Sequence, residues 1–394
     1  MPKQVFKKSI CIVGAGPGGL TAALDLAQRG ISSVLVEKTC YPRHKADGDA
    51  LTSNVLRTLY ELSPELYHRL GTRLDIIKPI YDFGFNAPNG KQIFLSLNSP
   101  ANKQMGIDDC WACKRIDFDN FLWEEAKQNP LIQIIENCTI HDHERTSDGS
   151  VVLFDKSHEL EIHTKLVIIA TGSNSHLTRT LGGFSFTPKE FAIGLRAYYK
   201  GSTGMGGMTQ ILITKELWPG GVCFVPLADG TVSVSMIIRS YEVIKRKYNP
   251  KKILKDILMN HPFCKERFQS AELVGEVAGA SLHLGVRNRK LSGDNYLMIG
   301  DAAGLADPIS ANGIGHAMIT ARLAAAKAVE CIAKQDFSAK VTHDFSETVH
   351  KRLRNSLKVG RIGFLFFRLP PTLIMYITNF VTLFSNHTLF NELM

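Results

Sequence analysis

Two glycine-rich turns, nearly 300 residues apart, carry the residue types that cradle a dinucleotide. The first holds Gly14, Gly16, Gly18 and Gly19, between the apolar run 9–13 and the helically spaced LTAALDLAQRG. Gly14 allows a tight turn, Gly16 lets a pyrophosphate approach the backbone, and Gly19 lets the helix pack close to the strand. The helix start then offers free N–H groups and a positive dipole end to the phosphates. A second apolar run, SVLVEK, ends at Glu37 with Lys38 beside it, 18 residues after Gly19. A carboxylate there can accept the ribose hydroxyls. Near the other end, DNYLMIG reads as a strand that stops at Gly300 and Asp301. Its loop runs through Asp307, Pro308, Asn312, Gly313 and Ile314 into an Ala-rich helix. Asp301 is placed to accept a ribityl hydroxyl. The N–H groups around Asn312, Gly313 and Ile314 can stabilise negative charge on a flavin edge. Two such segments in one chain point to FAD, whose flavin half needs a second binding segment.

The elements around these turns must come from a large chain. At 394 residues it has length for two or three domains, or for one large domain with insertions. Hydrophobic residues at 44% and charged residues at 21% exclude a disordered chain, a collagen and a coiled coil. The net charge of +9 does not choose among anionic cofactors, nucleic acid and a membrane surface. No nucleic-acid motif is present. Eight cysteines, mostly inside apolar runs, read as thiols of a reduced, intracellular protein. Cys110 and Cys113 form a CxxC without the second pair a zinc site needs, so no metal is expected. The N-terminus reads as a strand leading into the glycine turn, not as an export signal.

The sequence resembles the geranylgeranyl reductase family, within the p-hydroxybenzoate hydroxylase-like FAD superfamily. The likeness runs from residue 9 to about 335 and rests on five places. They are the 14–19 turn with Glu37, the segment 41–49, the segment 115–119, the segment 170–175 with Arg179, and the Gly300–Asp301 loop. Between the last two, the hairpin 218–230 is similar to the reductases' Gly-x-x-aromatic-x-Phe-Pro hairpin. In the 41–49 segment, Tyr41, Pro42, Arg43, Lys45, Gly48 and Asp49 match the reductases' pattern. The resemblance implies that Arg43, Gly48, Asp49, Arg115, Ala170, Thr171 and Gly172 lie at FAD. Two positions depart from it. Asp47 stands where the reductases carry Cys, and Thr171 stands where the superfamily usually has Asp. An acid at 47 can still relay a proton, which makes Asp47 the catalytic candidate. The loss at 171 leaves the electron donor open, NAD(P)H or another.

The resemblance implies an α/β architecture, a Rossmann-like FAD-binding domain with an interleaved antiparallel sheet carrying the substrate pocket, and the residue pattern beyond it reads as a helical C-terminal tail. The expected FAD-binding segments are 1–75, 108–184 and 280–335. The substrate domain takes 76–107 and 185–279, and the tail 336–394. Within the sheet, VCFVPL and TVSVSMII flank Ala-Asp-Gly and read as a hairpin. Trp218, Phe224 and Pro226 are the expected pocket residues, with Cys223 a small core residue. His316 reads as a packing or phosphate-side residue rather than a catalytic one. Flavin-dependent halogenases share the superfamily and carry a Trp-x-Trp-x-Ile-Pro motif, which the stretch 221–226 lacks, so Lys78 reads as a surface lysine.

In the tail, Lys351, Arg352, Arg354, Lys358 and Arg361 form a basic cluster ahead of two apolar segments split by Pro370 and Pro371. A double proline stops a spanning helix. The pattern fits peripheral contact with anionic lipid on the inner face of a membrane, and equally a helical lid or an oligomer contact. The leading expectation is a cytoplasmic FAD-dependent reductase of a small apolar, isoprenoid or lipid-like, or secondary-metabolite substrate. The alternatives are a flavin monooxygenase that hydroxylates its substrate, and a flavoprotein acting on a protein partner.

Overall fold

The computed structural model describes residues 3–46, 48–173 and 176–366. Its centre is a six-stranded sheet. The strands run in the order Ser292–Gly293, Tyr296–Met298, Leu166–Ile169, Ile10–Val13, Ser33–Val36 and Ile132–Ile135. All but the first are parallel. A parallel sheet is covered on both faces, so its strands read as unbroken apolar runs rather than alternating ones. ICIV at 10–13 and LVII at 166–169 are such runs, and both are fully buried. The helices Pro17–Gln28, Arg115–Gln128 and Ile314–Lys334 pack beside one another against this sheet. A smaller sheet of Gln4–Lys7, Leu160–Thr164, Val151–Asp155 and Ile140–Arg145 lies alongside.

A second large sheet has seven strands. Its order is Glu272–His283, Phe191–Lys200, Val232–Arg239, Gly221–Pro226, Thr209–Leu212, Asp82–Asn86 and Gln92–Ser96. The hairpin forms as its pattern predicts, with Gly221–Pro226 antiparallel to Val232–Arg239. Its turn is held by Asp229, whose Oδ1 accepts from the Thr231 N–H at 3.1 Å, and Gly230 takes φ +79°. The sheet is not wholly antiparallel. Thr209–Leu212 runs parallel to Asp82–Asn86. These strands come from distant chain segments, so no tight turn fixes their relative direction. Helices Pro250–Asn260 and Pro262–Phe268 cover one face of the sheet, where Phe224, Val234 and Met236 join Phe263 and Phe268. The segment 76–107, strand-like by pattern, also holds a short helix, Pro100–Met105, capped by the Ser99 hydroxyl and stopped at Gly106 with φ +68°.

The seam between the two large sheets is tied by one carboxylate. Asp49 is 1% exposed. Its Oδ1 accepts from the Arg115 N–H at 2.9 Å, on the cofactor side, and from Arg196 Nη1 at 3.0 Å, on the seven-stranded sheet. The Tyr198 hydroxyl reaches the same oxygen at 3.3 Å, and the Ser233 hydroxyl donates to Oδ2 at 2.6 Å. Removing one member of such a buried charged set leaves the other uncompensated, which typically costs about 3–5 kcal/mol. Asp49→Ala is therefore expected to lower unfolding stability by that order, measured by denaturant titration. Stability unchanged from the native protein would contradict the tie.

Candidate functional site

The Ile10–Val13 strand delivers the chain to a turn whose glycines do different work. Gly14 takes φ +104°, and a Cβ there would sit 2.5 Å from the Ala170 carbonyl oxygen. A Cβ at Gly19 would lie 1.8 Å from the Gly14 oxygen, so this residue is spent on helix–strand packing and does not line the cleft. Gly16 is different. The nearest atom to a Cβ there is Arg43 Nη2 at 3.6 Å, so the backbone is open to an approaching group. Gly16 also precedes the helix Pro17–Gln28 with no side-chain cap, which leaves the helix start free for an anion.

Glu37 follows the Ser33–Val36 strand and is buried. Its Oε2 accepts from the Ala15 N–H at 2.8 Å, and its Oε1 accepts from the Thr39 N–H at 3.2 Å and the Thr39 hydroxyl at 2.9 Å. The carboxylate therefore braces the glycine turn as well as facing the cleft. Two carboxylate oxygens offer about four acceptor sites, which leaves room for a ribose hydroxyl. Arg43 Nη2 donates to the Ala15 carbonyl at 3.3 Å and lies 3.5 Å from Asp119 Oδ2. The Tyr41 hydroxyl donates to the same carbonyl, and its ring stacks on Trp123 at 4.2 Å. Arg115 pairs with Asp119 through two bonds of 2.9 Å.

At the other end, Gly300 turns with φ +57° after the Tyr296–Met298 strand, and its N–H donates to Thr320 Oγ1 at 3.1 Å. Asp301 and Asp307 then separate in role. Asp301 is half-buried on the cleft wall. Asp307 is 1% exposed, and its Oδ1 accepts from the Ile309 N–H, the Ser310 N–H and the Ser310 hydroxyl at 2.9, 2.7 and 2.9 Å. It builds the loop from within. Asn312 Nδ2 donates to Thr52 Oγ1 at 2.8 Å, and Gly313 comes so close to Asp301 that a Cβ would meet Oδ1 at 2.8 Å. His283 Nδ1 lies 3.0 Å from the Asp301 carbonyl, and its ring stacks on Phe186 at 3.7 Å. Burial pushes its pKa down to about 4, so at neutral pH the ring is uncharged and donates from Nδ1. His316 packs as its helix position suggests, with Nδ1 2.7 Å from the Leu305 carbonyl and Nε2 3.0 Å from Ser356 Oγ.

These ends meet in one cleft of about 920 Å³. Gly14, Gly16, Gly18, Glu37, Lys38, Arg43, Gly48, Asp49, Arg115, Ala170, Thr171 and Gly172 line it from the first half. Gly300, Asp301, Pro308, Asn312, Gly313 and Ile314 line it from the second. The residues fit a dinucleotide: an open backbone at Gly16, and two helix starts, at Pro17 and Ile314, on one cavity. Asp47 lies outside the described residues, between Ala46 and Gly48, which line the cleft. The pocket expectation needs correction. Phe224 is fully buried on the far face of its strand, with its ring 5.7 Å from Phe263 and 5.6 Å from Phe268. Pro226 and the buried Trp218 are also absent from the cleft wall. Side chains alternate along a strand, so Gly221, Cys223 and Val225 face the cleft instead. Burial pushes the Cys223 thiol up to about 12. The CxxC thiols of Cys110 and Cys113 are likewise buried and raised. Lys78 pairs with Ala112 in a short strand and does not line the cleft. Sequence reasoning missed Thr52, Arg239 and His283. For Arg239 the signal was present in the alternation of Ser233, Ser235, Ile237 and Arg239.

The two loop acids give a test. Asp301→Ala is expected to weaken FAD retention while leaving thermal stability of the flavin-free protein near native. Asp307→Ala removes three internal hydrogen bonds and should lower that stability by about 1–3 kcal/mol. Flavin occupancy after gel filtration and unfolding curves of both variants check this. Indistinguishable variants would refute the division of roles.

Residues 7–336 match the family described as FAD binding domain. The chain is 26% identical over 324 residues to a pyrrole-2-carbonyl peptidyl-carrier-protein brominase of Pseudoalteromonas luteoviolacea, covering 78% of this chain and 74% of the brominase. It is 26% identical over 337 residues to digeranylgeranylglycerophospholipid reductase of Methanoculleus marisnigri, covering 84% of this chain and 78% of the reductase. A geranylgeranyl bacteriochlorophyll reductase-like protein of Thermoplasma acidophilum has the same fold, with a TM-score of 0.80 at 18% identity over 94% of this chain and 90% of the other. The glycine turn, the buried acid after the second strand and the Gly300–Asp301 loop are thus parts of one known architecture, and the chain belongs to the FAD binding domain family as an FAD-dependent oxidoreductase similar to the geranylgeranyl reductases.

Proposed function

We propose that the protein reduces an apolar, isoprenoid- or lipid-like substrate held between FAD and the seven-stranded sheet. The observation that carries this reading is the part of the cleft wall that the seven-stranded sheet supplies. Ala192, Gly194, Leu195, Ile211, Gly221 and Val225 line it, giving a surface that is apolar and short of side-chain volume. A Cβ at Gly194 would meet nothing closer than Leu282 Cδ1 at 3.6 Å, so the backbone tolerates a side chain there and the space is open. An apolar wall binds apolar surface by releasing water, at roughly 25 cal/mol per Å², and it keeps water from the reacting atoms.

Bound FAD supplies hydride transfer. The chain would hold and orient it: the Gly16 backbone and the helix start at Pro17 would take the pyrophosphate, Glu37 the ribose, and Asp301 the ribityl chain. The amides of Gly313 and Ile314 would stabilise negative charge on the flavin edge. Asp47 is the proposed proton source, with NAD(P)H or another donor reducing the enzyme. The likeness to the Methanoculleus digeranylgeranylglycerophospholipid reductase supports this substrate class. The position of Lys78, away from the cleft wall, weighs against halogenation. Among the described residues no helix is long and apolar enough to cross a membrane. Lys351, Arg352, Arg354 and Lys358 are exposed, while Arg361 turns inward and donates to the Gly285 carbonyl at 2.8 Å. We propose that the exposed four touch anionic lipid from which the substrate is drawn.

Two measurements test this reading. The protein, reduced without oxygen, is expected to be reoxidised by lipids with geranylgeranyl chains and not by their saturated counterparts. Reoxidation by oxygen alone, with hydroxylated lipid as product, would favour a monooxygenase instead. Full-length protein should co-sediment with anionic vesicles at low salt and be partly released at high salt. Protein that stays in the supernatant at both would remove the membrane contact.

A further inference from the structure

Residues 245–255 hold six basic side chains and no acid. One of the six, Arg246, is committed to the fold. It pairs with Glu242 at 2.6 Å and donates to the carbonyls of Glu216 at 3.3 Å and Trp218 at 3.4 Å. The other five, Lys245, Lys247, Lys251, Lys252 and Lys255, are exposed and form no ion pair among the described residues. The turn that carries them is fixed. Lys247 takes φ +53° at the end of the helix Ser240–Arg246, and the Tyr248 N–H donates to the Val243 carbonyl at 3.0 Å. Asn249 caps the next helix by accepting from the Lys252 N–H at 3.2 Å. Ile244 stands on this turn with 64% of its surface exposed. On the helix Pro250–Asn260, Lys251, Lys255 and the exposed Met259 follow at intervals of four residues, so they share a face. The exposed acids beside it, Glu216 and Asp256, leave the cations in excess. The 216–218 segment that Arg246 holds continues into Pro219, Gly220 and Gly221 on the cleft wall.

We propose that the turn 244–247 and the exposed face of the helix Pro250–Asn260 dock on an anionic bilayer, with Ile244 entering the interface. Specific protein interfaces use Arg and aromatic anchors and are depleted in Lys. Here the one Arg turns inward, and the free cations are all Lys, point charges on flexible stems that follow a diffuse array of head groups. An exposed apolar side chain among such cations gains from the acyl boundary and from the negative surface potential together. The face is built from other residues than the 351–358 cluster, so either can be removed alone. Contact here brings lipid to the segment that leads into the 219–221 part of the cleft wall. That serves the proposed lipid-like substrate, which the reoxidation assay tests separately from vesicle binding.

The test uses the FAD-loaded full chain and two kinds of vesicle, phosphatidylcholine alone and phosphatidylcholine mixed equally with phosphatidylglycerol. The native tryptophans, Trp111, Trp123 and Trp218, are all buried. Ile244→Trp therefore places an exposed fluorophore on the face. Its emission should shift to the blue on the mixed vesicles and be quenched by brominated acyl chains, with neither effect on phosphatidylcholine alone. Lys245→Glu, Lys251→Glu and Lys252→Glu together should weaken partition into the mixed vesicles at least about a hundredfold, with flavin content unchanged. A second variant replaces Lys351, Arg352, Arg354 and Lys358 by Gln. If the native protein binds the mixed vesicles but the fluorophore is not quenched, or the triple variant binds as the native does, this face is not the contact and the tail contact stands. If the tail variant binds as the native does and the triple variant does not, the tail contact falls and this face stands. Equal quenching on both kinds of vesicle would overturn the anionic docking. If no vesicle binds, both contacts fall. A blue shift with polyglutamate in that case would assign the face to an acidic protein instead.

Discussion

The structure depends on how one buried carboxylate is shared. Asp49 sits where the cofactor sheet meets the seven-stranded sheet, and its two oxygens take donors from both. Burying Arg115, Arg196 and Asp49 together is tolerable because Asp119 and Asp49 supply matching charge at hydrogen-bond distance. The cleft is the seam those contacts hold at fixed width. A loosened tie would let the sheet wall drift from the 300–313 loop, and the enclosed volume would be lost with it. Asp49 lines the cleft, but its hydrogen bonds go to the protein, so its role there is to set the frame.

The 300–313 loop is over-determined in a similar way. His283 holds the Asp301 carbonyl, Arg239 holds the Pro308 carbonyl, Thr52 accepts from Asn312, and Asp307 ties the middle of the loop to itself. From outside, His316 links Leu305 to Ser356 on the last described helix, Arg354–Phe366. Gly360 on the same helix lies so close that a Cβ would meet Asp307 Oδ2 at 2.6 Å. The last helix is therefore part of this loop's support. Backbone amides aimed at a cofactor work only if they do not relax when charge changes, and these contacts restrict that relaxation.

Much of this was legible in the sequence because it rests on local rules. The glycine turn, the acid at 37 and the Gly300–Asp301 strand end each follow from spacing within a short window. The hairpin at 221–239 was readable from alternation and its Asp-Gly turn. The pocket residues were not. Phe224 was the natural choice as a large aromatic beside the turn, yet strand parity sends it to the helical face and leaves Cys223 and Val225 on the cleft. Parity relative to the core is set by the helices Pro250–Asn260 and Pro262–Phe268, which lie later in the chain. The clamp on Asp49 was hidden for a related reason. Its partners at 196 and 233 are ordinary residues until the fold brings them together across nearly 150 positions and more.

On the proposed function, the open sheet wall is where an apolar molecule meets the flavin. The most direct measurement is the difference spectrum of the bound flavin on addition of geranylgeraniol, in the native protein and in Gly194→Leu. A leucine at 194 fits the backbone and fills the space beside Leu282. A saturable spectral change is expected in the native protein as water is displaced from the flavin. No such change is expected in the variant at equal flavin content. The same titration curve in both proteins would contradict the proposed function.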